Sequence, residues 1–71
     1  MSEILTPKSN RWETFTDALD RSVAVKGCDG HRWAKLIMAE MGNIDISASL
    51  AFFQRHGGHC DCEILMNVGR D

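Results

Sequence analysis

Cys60-Asp61-Cys62-Glu63-Ile64-Leu65-Met66-Asn67-Val68 is the stretch on which the fold turns. Read with a period of two, it puts Cys60, Cys62, Ile64, Met66 and Val68 on one face and Asp61, Glu63, Leu65 and Asn67 on the other. That is the alternation of a half-buried strand, broken only by Leu65. Read as a helix, Asp61 can cap, and Glu63, Leu65 and Met66 bring good propensity. The alternation favours the strand. A lone strand leaves backbone donors and acceptors unpaired, and the only other strand-like residues are Ile4-Leu5.

Upstream of this stretch the periodicity is helical. Ser9 or Asn10 offers an N-cap oxygen. Trp12, Phe15, Leu19, Ser22 and Val23 then fall on one stripe, and Gly27 supplies a left-handed stop, which predicts a helix over residues 10–25. After a turn at Cys28-Asp29-Gly30-His31, with Asp29 as cap, a second helix carries Trp33, Leu36, Ile37 and Met41 on its apolar side and ends at Gly42-Asn43. A third helix, capped by Asp45 or Ser47, runs to about His56 and stops at Gly57-Gly58; Ile44 and Ile46 tuck in at its entry. The expected fold is mainly α (α+β): a three-helix domain with a short C-terminal strand. Its core is Trp12, Phe15, Leu19, Trp33, Leu36, Ile37, Leu50 and Phe53. Residues 1–9, interrupted by Pro7, read as a flexible lead-in, and 10–71 as a single small domain.

Composition narrows the function classes. Among the 71 residues, 44% are hydrophobic and 25% charged, which suits a globular domain and not a disordered one. The formal net charge of -2 gives no excess of cations to draw the chain to nucleic acid or anionic lipid. The longest uninterrupted apolar run is Leu36-Ile37-Met38-Ala39, too short for a membrane span, and no apolar stretch follows Met1 as in an export signal. The reading is a cytoplasmic protein with no membrane association. Three cysteines, an odd number, do not make a disulfide framework; in a reducing compartment they are core thiols, metal ligands or reactive nucleophiles.

All the cysteines and histidines fall in two clusters, Cys28-Asp29-Gly30-His31 and His56-Gly57-Gly58-His59-Cys60-Asp61-Cys62. Zinc takes four N or S ligands in a tetrahedron, usually from two short loops, and a helical hairpin would bring these two loops together. Candidate ligands are Cys28, Cys60 and Cys62, with His31 or His59 as the fourth. Against this stands the common fate of a free cysteine as a small core hydrophobe, and Cys-x-Cys lacks the usual Cys-x2-Cys knuckle. Trp12 and Trp33 lie in phase with apolar neighbours and read as core. Asp61 and Glu63 read as exposed carboxylates on a solvated strand face, with no third partner for acid–base work. No phosphate loop, nucleophile elbow or metalloprotease motif is present, and no catalytic residue is assigned.

Residues 57–68 resemble the C-terminal signature of a small bacterial domain family of unknown function, Gly-Gly-x-Cys-Asp-Cys-Glu-x3-Asn-Val. The matching positions are Gly57, Gly58, Cys60, Asp61, Cys62, Glu63, Asn67 and Val68, and the similarity extends back to Gly27-Cys28-Asp29. Where the family pattern sets a His directly after Cys-Asp, Gly30 intervenes here and His31 follows it. The resemblance implies no activity. The first functional expectation is a non-enzymatic small bacterial domain, zinc-stabilised and acting through protein–protein contact. A second is a thiol-based redox or metal-handling protein using Cys60 and Cys62. A third is a weak helix-turn-helix-like nucleic-acid binder through residues 47–56, which carry only one Arg, one Gln and one His. The apolar strand at Ile64-Leu65-Met66 predicts a homodimer by antiparallel strand pairing, besides an unidentified protein partner.

Overall fold

The computed structural model describes residues 2–68 and consists of four helices, α1 (Trp12–Lys26), α2 (Arg32–Met41), α3 (Ile46–Arg55) and α4 (Asp61–Asn67). The expected C-terminal strand is therefore a helix. The buried residues of the segment are Asp61, Ile64 and Val68, spaced three and four apart, whereas Met66 on the expected strand face is 60% exposed. The physical reason is backbone satisfaction. Among the described residues the only β-type pairing is an isolated bridge between Glu3 and Ile44, so a strand at 60–68 would have had no partner. A helix pairs its N–H and C=O groups within itself. This also removes the strand edge on which the expected dimer was built.

Local signals place the other helices close to expectation. Asp45 caps α3 through Oδ1, which accepts from the Ala48 N–H at 3.1 Å. α1 and α2 begin without side-chain caps of their own, at Arg11 and His31. Gly27 ends α1 at φ 83°, in the left-handed region that favours glycine.

The core is Leu5, Phe15, Leu19, Ala34, Met38, Ile44, Phe53, Ile64 and Val68. α1 packs against α2 and α4, and α2 also meets α3 and α4. An aromatic cluster joins α1 to α3: Phe15 stacks on Phe53 at 5.7 Å between ring centroids, and Trp12 lies 5.3 Å from Phe15 and 5.7 Å from Phe53. Of the expected core, Leu36 is 49% exposed, and Trp12, Trp33, Ile37 and Leu50 pack at its margin. Residues 3–5 of the lead-in are tied down. Leu5 is fully buried, its N–H donates to the buried Ser49 Oγ at 2.9 Å, and Glu3 pairs with Arg11 at 2.7 Å. The Arg11 guanidinium also donates to the Gly42 carbonyl at 3.0 Å, beyond the end of α2.

Gly58 is the tightest point of the turn before α4. A Cβ there would stand 2.8 Å from Val68 Cγ2 and 3.0 Å from both Ile64 Cγ1 and the Phe53 carbonyl oxygen. That carbonyl already accepts the Gly58 N–H at 2.6 Å. Gly58→Ala is expected to destabilise the protein by about 1–3 kcal/mol through overpacking, read as a lower denaturant midpoint with an unchanged slope.

Candidate functional site

The loop between α1 and α2 and the turn leading into α4 interlock at several points. The Asp61 N–H donates to the Gly30 carbonyl at 2.6 Å. The Asp61 carboxylate accepts from the Trp33 N–H at 3.1 Å and the Ala34 N–H at 3.3 Å. These are two of the orphan donors of the first turn of α2, so a residue of α4 caps α2 in place of a local side chain. His31 Nε2 lies 2.8 Å from the Gly58 carbonyl oxygen; facing an acceptor, it carries the proton and donates. Trp33 Nε1 donates to the Gly27 carbonyl at 2.9 Å, fixing the start of the loop. Lys26 stands over the same indole ring at 4.7 Å.

Held this way, Cys28 reaches the turn that carries Cys60 and Cys62. The Cys62 N–H donates to Cys28 Sγ at 3.4 Å. Cys28 is exposed; Cys60 and Cys62 are half-buried. The Glu63 backbone N–H favours the Cys60 thiolate, but the adjacent Cys28 thiol and burial outweigh it and raise the Cys60 pKa above the ordinary thiol value.

The remaining expected ligands fare differently. His31 reaches the junction through its bond to Gly58. The imidazole of His59 is exposed, and its backbone N–H donates to Glu63 Oε1 at 3.2 Å, a capping-box-like contact at the start of α4. His56 follows α3 with its ring 4.3 Å from that of Phe52. As the side chains stand, no three His, Cys, Asp or Glu groups among the described residues enclose a metal position.

Asp61 is the residue that the period-two reading misplaced. Expected as an exposed strand carboxylate, it is fully buried. Burial pushes its pKa up; the Trp33 and Ala34 N–H donors and the nearby His31 pull it down without cancelling the rise. No spacing in the sequence announces a cap supplied by another helix. Asp29, expected as the cap of that helix, instead pairs with the Arg32 side chain at 3.3 Å.

Comparison with known proteins places residues 15–67 in the family described as "Protein of unknown function (DUF2695)". Similar curated proteins are the uncharacterized protein Mb2294 of Mycobacterium bovis and the uncharacterized protein Rv2271 of Mycobacterium tuberculosis. Each is 31% identical over 70 residues, covering 92% of this chain and 66% of its own length. The chain thus spans just under two thirds of these relatives. No solved structure matches. Among the described residues, no helix is long and apolar enough to cross a membrane.

Proposed function

Since the chain belongs to DUF2695, a family of unknown function, we propose its role from its own geometry: a non-enzymatic domain whose two Cys/His turns are stapled by a zinc ion, leaving the rest of its surface for contact with another protein. One observation carries this reading. The Cys28 sulfur accepts the Cys62 N–H at 3.4 Å across 34 positions of sequence, which brings the two Cys/His turns together. Three thiolates and one imidazole are a common structural zinc set.

His31 fits the fourth place better than His59. Zinc-bound histidines usually donate the second ring N–H to a carbonyl, which fixes the ring and its tautomer. His31 already makes that bond to Gly58 through Nε2, leaving Nδ1 for the ion. Completing the shell requires the Cys62 side chain to turn inward on a backbone fixed by the Asp61 contacts, while His31 keeps its bond to Gly58. Four protein ligands leave no open position for water, so the ion's role is structural and not hydrolytic. A reducing, cytoplasmic setting suits a site built on free thiols.

Protein purified without a metal-affinity column is expected to carry one zinc per chain. Chelation should lower the melting midpoint by about 10–20 °C, taking roughly 2.7 kcal/mol for a ligand at a hundred times its dissociation constant. Cys60→Ser should reproduce the chelated melt, and His59→Ala should leave it near wild type. Zinc-free protein whose melt ignores added zinc would overturn the reading.

A further inference from the structure

We propose that Asp29-Gly30 is a site of spontaneous backbone modification. The Gly30 nitrogen closes on the Asp29 carboxyl group, and the succinimide so formed reopens as isoaspartate, which unlocks the two turns from each other. This goes beyond the zinc reading and uses none of the residues assigned to the ion.

The reaction needs a carboxyl group free to turn toward the next peptide nitrogen, a nitrogen not committed to a hydrogen bond, and little bulk on the following residue. Asp29 and Gly30 are both exposed in the loop between α1 and α2. Among the described residues the Asp29 carboxylate has one partner, the Arg32 guanidinium at 3.3 Å. Both side chains of that pair are exposed, so it holds the carboxylate only weakly. The Gly30 N–H has no hydrogen-bond partner among the described residues. Gly30 carries no side chain, and a Cβ built on it would meet nothing within 4 Å, so the ring has room to form.

Other Asp and Asn residues lack this combination. Asp61 is fully buried, and the N–H that follows it is given to Cys28 Sγ. Asn67 precedes the buried Val68, whose N–H donates to the Ile64 carbonyl at 3.2 Å. Asn43 precedes the buried, branched Ile44. Asp17 and Asp20 lie inside α1, and Asp45 is engaged in capping α3.

In the first step the Gly30 nitrogen bonds to Asp29 Cγ. The hydroxyl of the protonated carboxyl group leaves with the N–H proton as one water, giving a five-membered imide. Water then adds to the main-chain carbonyl carbon of Asp29 and breaks its bond to nitrogen. The chain now runs through Cβ and Cγ, one methylene longer, and the former main-chain carbonyl is a free carboxylate. One water leaves and one enters, with no oxidant or cofactor. Two contacts depend on the original path: the Asp29 carbonyl accepts the Arg32 N–H at 3.0 Å, and the Gly30 carbonyl accepts the Asp61 N–H at 2.6 Å. The first acceptor leaves the main chain, and the second shifts with the lengthened backbone, so Asp61 loses its seat against α2.

The test ages the purified full chain at neutral pH and digests it with trypsin, which releases residues 27–32 by cutting after Lys26 and Arg32. The expected product is a second form of that peptide with the same mass, a different retention time and resistance to a protease that cuts before aspartate. Aged protein should melt below fresh protein. Asp29→Glu keeps the charge but can close only a slower six-membered ring, and it should show neither change. Conversion chiefly at another Asp or Asn, or none in the folded chain, would overturn the site. A converted chain that melts like the fresh one would overturn the loss of the junction. The peptide readout carries no metal, so failure of the zinc reading leaves this test intact.

Discussion

Phe53→Ala is expected to lower the unfolding free energy by about 3–5 kcal/mol, the range for removing a fully buried phenylalanine. The ring is completely buried between Phe15 and Trp12, each 5.7 Å away by centroid, and it holds α3 against α1. Small-residue replacement leaves a void bordered by rigid rings that cannot readily collapse into it. A chain of 71 residues buries a smaller share of its surface than larger domains and has little stability to spare. The substitution should therefore leave a large unfolded fraction by far-UV circular dichroism at physiological temperature. Phe52 supplies the control. It is half-buried with an edge-on contact to Phe53 at 6.2 Å, and Phe52→Ala should cost about 1 kcal/mol. Equal effects from the two would contradict the assignment of the core.

Asp61→Ala is expected to cost about 3 kcal/mol, because it strands the Trp33 and Ala34 N–H groups at the start of α2 and removes a charged acceptor serving both. Since Asp61 belongs to α4 and its partners to α2, the loss also uncouples the two turns. Asp61→Asn keeps one acceptor oxygen and should recover part of the difference. The two proteins should also respond differently to pH. The folded-state pKa of Asp61 is raised above 3.8 by burial, so its titration contributes stability that is fully present below 3.8 and lost as pH rises through the folded value. The stability gap between wild type and Asp61→Asn should therefore widen as pH falls. Urea midpoints measured across the acid range would show it.

The helices over 12–55 were legible because their apolar residues recur at helical spacing and glycines punctuate their ends. Asp45 could be read as a cap because its partner, Ala48, is three residues away. The C-terminal segment was misread because the period-two pattern of 60–68 and the helical set Asp61, Ile64 and Val68 coexist in nine residues. The choice between them depends on whether another strand exists to pair with. Burial of Asp61, which breaks the solvated-face reading of its carboxylate, follows from α2 and is invisible from residues 60–68 alone. Leu5 was missed for a related reason: its anchor, Ser49, lies 44 positions away. The meeting of Cys28 with the turn that carries Cys60 and Cys62 is a different case. It could be anticipated because a hairpin of two short helices returns the chain to its starting end, whichever way the last segment folds.

The zinc K-edge X-ray absorption spectrum of the purified protein tests the central claim most directly. The account predicts one zinc per chain with about three sulfur neighbours near 2.3 Å and one nitrogen near 2.0–2.1 Å, the nitrogen shell persisting in His59→Ala and lost in His31→Ala. A spectrum dominated by oxygen and nitrogen neighbours, or no bound zinc to measure, would contradict it.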